Sequence, residues 1–468
     1  MSTYLKLTGV EAVTGGVINL NGANSGLATV HLLAGWAPMV APRRVSRLGG
    51  HIYEDVVEHP ALRIEGSSAT ECLTMLHLLS VALDQAQAKF DGANVPAVLL
   101  HYRVDGSTLT TPLQTAVLGS PANRSSLLSL QPTFNQETKG YDIHLTYPML
   151  RRGLWLGDED SEVSSSAEIG EVMTVTFSTG TQIVSPFDIE IAFDVTNTLR
   201  QIPPFLLFFG PSDKLAVLDI ASGNGFFPNV TDSANKALGD AVIRYTPTDT
   251  SKKDNGVTSL QALGLTSRTF DIFAAVKNNS SSTNFALQAN VFLQANDGFV
   301  YSTLTELLTV RGGDTDRQVV RMGSISLSDD ALDFMPTVQA NDASGSFDID
   351  SFVFADIDDV IVISSLANIV TPNADMAGTF ELRFAHDMLN RISPRAGLYN
   401  ASGTTYSDSD IAPMSYQGNA LLHAAGDSFS LLIMMTDPDN NYWRWTNGTS
   451  VMKTTATFRR RRAYLVPQ

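Results

Sequence analysis

Phe187-Asp188-Ile189-Glu190-Ile191-Ala192-Phe193-Asp194-Val195 places an apolar residue at every odd position and acidic residues at most of the positions between. Period-two alternation of this kind is a strand with one dry face and one wet face. The pattern returns at Phe285, Leu287, Ala289, Val291 and Leu293, at Phe380, Leu382 and Phe384, and at Phe429, Leu431 and Ile433. Turn signals separate these runs: Ser178-Thr179-Gly180, Asn224-Gly225, Asn278–Thr283, Asp297-Gly298 and Gly312-Gly313. The fold class expected is mainly β: two or three β-sandwich or jelly-roll-like domains, with one substantial helix in the N-terminal region.

That helix is predicted over residues 69–90. Ser68 and Glu71 have capping-box spacing at its start, and Gly92 can end it. Cys72, Leu76, Leu79, Leu83, Ala86 and Phe90 recur at spacings of four and three, which draws one apolar stripe. The stripe is expected to be a core face laid on a sheet.

The chain of 468 residues implies about two to four domains. Residues 1–157 read as a β-rich domain containing the helix, with short strands near Tyr4–Leu7, Val17–Leu20, Tyr53–Ile64, Val98–Val104 and Asp142–Tyr147. The run Gly157-Asp158-Glu159-Asp160-Ser161-Glu162, followed by Ser164-Ser165-Ser166, has little to bury and reads as a linker or exposed loop. Residues 163–370 read as a jelly-roll-like sandwich, and residues 371–468 as a C-terminal β segment. The C-terminal segment has fewer strands than a sandwich needs. It is expected either to complete the N-terminal domain, with the middle sandwich inserted, or to form a small sandwich of its own.

Charged residues are 17% of the chain, and this low share fits a surface rich in Ser, Thr, Asn and Gln, as in many assembly and extracellular β-proteins. The net charge of −17 disfavours a free nucleic-acid binder, which phosphates would repel. No apolar run is long enough to span a bilayer, so no membrane insertion is expected. Met1–Val10 lacks the profile of a signal peptide, so synthesis in a cytosol without the usual export is expected. The single cysteine, Cys72, excludes an intramolecular disulfide and agrees with a reducing site of folding. Six Asn-x-Ser/Thr sequons then read as chance in an Asn-, Ser- and Thr-rich chain.

No Gly-x-Ser-x-Gly elbow is present, and a thiol on a buried helix stripe is inert. The eight histidines are scattered, and none forms His-x-x-x-His. No catalytic residue, metal ligand or cofactor is therefore assigned. Ser222-Gly223-Asn224-Gly225-Phe226-Phe227 lacks the third glycine and the helix signal of a phosphate loop and reads as an inter-strand loop. The acidic cluster Asp348, Asp350, Asp356, Asp358 and Asp359 could offer oxygens to calcium. The alternation Phe347-Asp348-Ile349-Asp350 gives the simpler expectation, two aspartates on the wet face of a strand. Asp437-Pro438-Asp439-Asn440-Asn441 reads as an ordinary turn.

Two groups are candidate interface or glycan contacts. In Tyr442-Trp443-Arg444-Trp445, a strand would put Trp443 and Trp445 on one face, fitting a core, an interface or a sugar platform. In Arg459-Arg460-Arg461-Arg462, a strand would turn Arg459 and Arg461 one way and Arg460 and Arg462 the other. Four guanidinium groups cannot all be buried unpaired, so a pair must reach water or carboxylates, in this chain or in an adjacent subunit.

The order Tyr53–Ile64, Gly66-Ser67-Ser68, a helix with Leu73, Leu76, Leu79 and Leu83, then Val98–Tyr102, resembles the front half of tail structural proteins of long-tailed bacteriophages, especially distal tail proteins. Phe347–Phe354 is similar to strands that close carbohydrate-binding-like jelly rolls in such proteins, and Phe458–Gln468 to their Arg- and Tyr-rich closing strand. The resemblance implies a virion subunit of a tail-tip ring or collar, a symmetric homo-oligomer contacting other tail proteins, with an inserted carbohydrate-binding-like sandwich. The alternatives are a carbohydrate-binding, receptor-recognition protein on the virion that meets a host-surface glycan, and a β-sandwich glycosidase, which needs two carboxylates at a fixed separation.

Overall fold

The structure, a computed structural model, describes residues 3–465 apart from 34–35, 46–50, 105–106, 108–110, 122–128, 169, 195–200, 203–204, 220–228, 232–240, 255–257, 261–262, 266–267, 296–297, 304–307, 314–316, 329, 366–368, 371–379, 386–394, 400–413, 417–422 and 436–452. It is mostly β, with one α-helix among the described residues, Ala69–Phe90.

The helix begins where Ser68 turns its hydroxyl to the main chain: Ser68 Oγ accepts from the Glu71 N–H at 3.2 Å. The Glu71 carboxylate reaches back to the Ser67 N–H and hydroxyl, both at 2.8 Å, and these bonds hold it below the usual carboxylate range. Gly92, at φ +99°, follows the helix in the left-handed region that glycine tolerates. Cys72, Leu76, Leu79, Leu83 and Ala86 are buried, as the stripe predicts, while Phe90 is only partly covered. The helix packs on strands Leu113–Gly119, Ala61–Gly66 and Gly140–Thr146. These belong to two sheets, one running Val17–Asn19, Tyr4–Thr8, Leu99–Arg103, Leu113–Gly119, and the other Thr133–Asn135, Gly140–Thr146, Ala61–Gly66, Thr29–Leu32. Leu5, Ile18, Ile64, Leu79, Leu100 and Trp155 meet in the first core.

The first of these sheets does not stop at the N-terminal region. Leu113–Gly119 is followed by Trp155–Val163, then Lys453–Tyr464, then Met173–Asp194. The acidic run at 157–162 is therefore a strand and not a linker. Glu159 lies opposite Arg461, Asp160 opposite Arg460 and Ser161 opposite Arg459. Glu159, Asp160 and Ser161, with nothing apolar to bury, form a strand because arginines stand across the ladder from them.

The 22-residue strand Met173–Asp194 serves two sheets. Its first part pairs with His423–Met435, and its last part with Lys453–Tyr464 and Phe380–Ala385. Phe187, Ile189 and Ile191 are buried and stand opposite Arg460, Phe458 and Ala456. Phe205–Pro211 pairs with the other edge of His423–Met435. Between these layers Phe177, Phe187, Phe209, Phe429 and Phe458 form an aromatic core, with Phe187 and Phe429 ring centroids 4.6 Å apart.

A further sandwich follows. Its inner sheet contains Leu215–Asp219, Asn229–Thr231, Ala241–Tyr245, Thr269–Asn278, Arg317–Ser326 and Phe347–Asp356. Its outer sheet contains Lys253–Asp254, Thr258–Ser259, Phe285–Ala295, Gly298–Thr303, Leu308–Val310 and Ala331–Ala340. Phe270, Phe285, Leu287, Phe334, Ile349 and Phe354 fill the space between them. The inner sheet is dry on its other face as well. Phe273, Ala275, Val353 and Ala355 join the aromatic core's cluster, and Phe273 sits 4.9 Å from Phe208, edge to face.

That stacking overturns the expectation for Asp348 and Asp350. All ten residues of Phe347–Asp356 are buried, and each of these aspartates is 2% exposed. Asp348 is held by Arg244 directly across the ladder, with Nε and Nη2 each 2.7 Å from a carboxylate oxygen. At Asp350 the register against Thr269–Asn278 shifts by one residue, which is a bulge. The bulge lets Phe347 and Ile349 before it, and Phe352 and Phe354 after it, point into one core. Asp356 closes the following turn by accepting from the Asp358 and Asp359 N–H groups at 2.9 and 3.2 Å.

Candidate functional site

The four arginines of the C-terminal strand all meet acidic groups of the same chain. Arg459 Nη1 is 3.0 Å from Glu190 Oε2, and Arg462 Nε is 2.8 Å from Asp160 Oδ2. Arg461 Nε lies 3.8 Å from Glu159 Oε2. Arg460 differs from the others, because its side chain is wholly buried while its three neighbours are about one-third exposed. Its guanidinium lies over Phe177, 4.1 Å from the ring centroid, and donates to the carbonyls of Gly426 and Thr179. Burial lowers the Arg460 pKa and the Asp160 hydrogen bond raises that of Arg462. Trp443 and Trp445 lie outside the described residues, as do Ser222–Phe227 and Asp437–Asn441.

A second buried cation was not visible in the sequence. Arg151 and Glu58 both have fully buried side chains, with Arg151 Nε and Nη2 at 2.9 and 2.7 Å from Glu58 Oε1. The pair grips the main chain of Met39: Arg151 Nη2 donates to its carbonyl at 2.6 Å, and its N–H donates to Glu58 Oε1 at 2.8 Å. Trp155 stacks on Arg151 at 4.7 Å and continues through Tyr102 to Trp36 at ring spacings of 5.7 and 5.6 Å. Glu58 and Arg151 are 93 positions apart, and no local pattern links them.

The third group is a buried polar row on the outer sheet. Phe285–Ala295 sends Phe285, Leu287, Ala289 and Val291 into the sandwich core. The residues between, Gln288 and Asn290, lie on the far face of the outer sheet. Gln288 stands opposite Thr337, which stands opposite Asp254 on the next strand, so one row crosses three strands. Asn290 Nδ2 donates to Thr337 Oγ1 at 2.6 Å, and Thr337 Oγ1 donates to Asp254 Oδ1 at 2.7 Å. Lys252 Nζ donates to Gln288 Oε1 at 3.2 Å. Asn290, Thr337, Gln288 and Met335 are buried, whereas Lys252 and Asp254 are exposed. The row is thus a buried set of amides and a hydroxyl that reaches solvent at Lys252 and Asp254. The sequence signal was present but weak: planar amides, not charges, fill the gaps of the alternation.

Among the described residues no group of three or more His, Cys, Asp or Glu side chains is placed to hold a metal ion. No helix of the described residues is long and apolar enough to cross a membrane.

No protein-family model matches the chain. No curated protein matches it either. Solved structures do match. The family 22 xylan-binding domain of Paenibacillus barcinonensis Xyn10C is 15% identical, over 41% of this chain and 98% of that one, with a TM-score of 0.23. The tandem of two such domains from the same enzyme is 12% identical, over 64% of this chain and 98% of that one, with a TM-score of 0.23. The C-terminal family 22 carbohydrate-binding module of Clostridium thermocellum Xyn10B is 17% identical, over 32% of this chain and 92% of that one, with a TM-score of 0.22.

Proposed function

We propose that the chain is a non-catalytic structural subunit of a bacteriophage tail, acting in a symmetric homo-oligomer at the tail tip or in a distal collar, and made in the host cytoplasm. The observation that carries this reading is the seam at Lys453–Tyr464. That strand bonds to Trp155–Val163 along one edge and to Phe187–Asp194 along the other. The helix-bearing region and the aromatic-core sandwich are thereby joined by main-chain ladders instead of a tether, which suits a part that must hold its orientation within a particle. The buried Glu58–Arg151 clamp adds a fixed position for the segment around Met39, whose side chain is 55% exposed beside Val40 at 54%.

Native mass spectrometry of the purified chain and immuno-electron microscopy of particles that carry it test the proposal. The expected results are a closed oligomer of one copy number and antibody label confined to the tail. A monomer at every concentration, with unlabelled particles, overturns it.

A second reading is recognition of a host-surface glycan on the same particle. The exposed polar groups Asp254 and Lys252, at the edge of the outer sheet, support that reading. Binding without release of new reducing ends separates it from a sandwich glycosidase.

A further inference from the structure

We propose that copies of this chain join head to tail, with the segment Met39–Val45 of one copy seated on the acidic strand Trp155–Val163 of the next. This interface rests on the homo-oligomer reading above and gives it a contact and a symmetry.

The first patch is apolar and basic. Met39 and Val40 are each more than half exposed, between Pro38 and Pro42. The main chain at Met39 is fixed from the interior by the buried Glu58–Arg151 pair, which engages both its N–H and its carbonyl. A segment held this way loses little freedom when a partner covers it. The strand Arg43–Val45 follows, paired with His51–Tyr53. Arg43 and Arg44 are consecutive, so they fall on opposite faces of that strand, and either face carries an arginine position. No Asp or Glu occurs between Glu11 and Glu54, in a chain where acidic residues outnumber basic ones 48 to 31.

The second patch is opposite in charge. No Lys or Arg occurs between Arg152 and Arg200. Within that stretch Asp158, Glu159 and Ser161 are exposed, and Val163 is 63% exposed at the end of the strand. Arg460, Arg461 and Arg462 compensate Glu159 and Asp160. Asp158 and Glu162 have no ion-pair partner among the described residues. Negative charge is thus left over beside an exposed apolar residue, and the first patch supplies apolar residues with positive charge.

Met39 and Val163 cannot meet within one copy. Met39 is bonded to Arg151, and Trp155 stacks on that arginine. Val163 lies at the far end of the extended strand that begins at Trp155, about 25 Å away at roughly 3.3 Å per residue. Two unlike, complementary patches at different places on one molecule make a heterologous contact. Such a contact repeats from copy to copy and closes into a ring when its rotation allows. Opposite charge across it sets the register and speeds encounter.

Sedimentation velocity of the full chain and of two charge-reversed variants tests the interface. One variant is Arg43→Glu with Arg44→Glu, and the other is Asp158→Lys with Glu162→Lys. Asp158 is exposed and Glu162 partly so, and the second variant keeps its fold even where the first does not. Wild type is expected to associate, and each variant alone should associate about a hundredfold or more weakly, because like charges then face each other. Mixing the two variants should restore association, since every contact between unlike copies again pairs opposite charges. Association that survives in the Asp158→Lys, Glu162→Lys variant overturns this interface while leaving the homo-oligomer standing. Loss in both variants without rescue in the mixture overturns the head-to-tail pairing. A wild-type chain that stays monomeric at every concentration overturns the homo-oligomer reading together with the interface.

Discussion

Arg460 lies over the face of Phe177, its guanidinium carbon 4.1 Å from the ring centroid, with no side-chain exposure to solvent. A permanently charged group thus occupies an aromatic core. It is tolerated there because two carbonyls, a ring face and the Asp160 carboxylate at 3.6 Å surround it. Its neighbours in sequence, about one-third exposed, hold ordinary surface ion pairs.

The four arginines should therefore be unequal. Arg460→Ala leaves a cavity beside Phe177 and strips the Gly426 and Thr179 carbonyls of their donor. A loss of about 2–5 kcal/mol is expected in denaturant unfolding. Arg459→Ala and Arg461→Ala should each change stability by about 0–1 kcal/mol. Equal effects at all three positions would contradict the burial argument.

Glu58 and Arg151 should behave as a coupled pair. Removing either alone strands the other without water, at about 3–5 kcal/mol. Glu58→Leu combined with Arg151→Met should be milder than the sum of the singles by about 1 kcal/mol or more. It should not recover wild-type stability, because the Met39 N–H and carbonyl lose their partners too. A double-mutant cycle from urea melts reads this directly.

His101 should make the fold acid-sensitive. Burial, with a smaller push from Lys6, lowers its pKa from 6.5 to about 4, and it shares a 2.9 Å hydrogen bond with Thr8. Between those two values the unfolded chain holds more protons than the folded one, so stability rises with pH. The contribution is complete above about pH 6.5 and is lost as pH falls toward 4. His101→Gln should flatten that part of the curve, measured by unfolding midpoints from pH 7 to pH 4.5. An unchanged slope would show that other groups cause it.

The helix and its support give a packing test. Leu79 has no exposure, and Leu79→Ala should cost about 2–5 kcal/mol. Gly9, at φ +78°, has no room for a methyl group: a Cβ there would stand 2.2 Å from the Ala97 carbonyl oxygen. Gly9→Ala should lower the thermal midpoint, with a loss above about 1 kcal/mol.

Cys72 should be silent to thiol reagents in the folded chain. It is buried, its Sγ meets the Tyr141 carbonyl at 3.2 Å, and burial raises its pKa. Modification by a maleimide should be slow in native buffer and rapid in denaturant. Rapid native labelling would place the helix stripe at the surface.

The sequence by itself determined the local elements. Ser68, Gly92 and the spacing of Leu76, Leu79 and Leu83 specified the helix, since caps and a 3.6-residue period act within one segment. The alternations at Phe187, Phe285 and Phe429 specified strands for the same reason. Which face is wet, and which strand lies alongside, was decided only by tertiary structure. Alternation marks two faces of one strand, but a face is wet only if no other layer covers it. At Asp348 the strand is buried on both faces, and Arg244, 104 positions away, makes the burial tolerable. At residues 157–162 the same logic runs the other way. An acidic run with no strand signal of its own becomes a strand because Arg459, Arg460 and Arg461 arrive from about 300 positions downstream. The Asp254–Thr337–Asn290 row likewise comes from three separate strands. Its direction depends on a carboxylate that accepts and cannot donate, which only the folded register brings within reach.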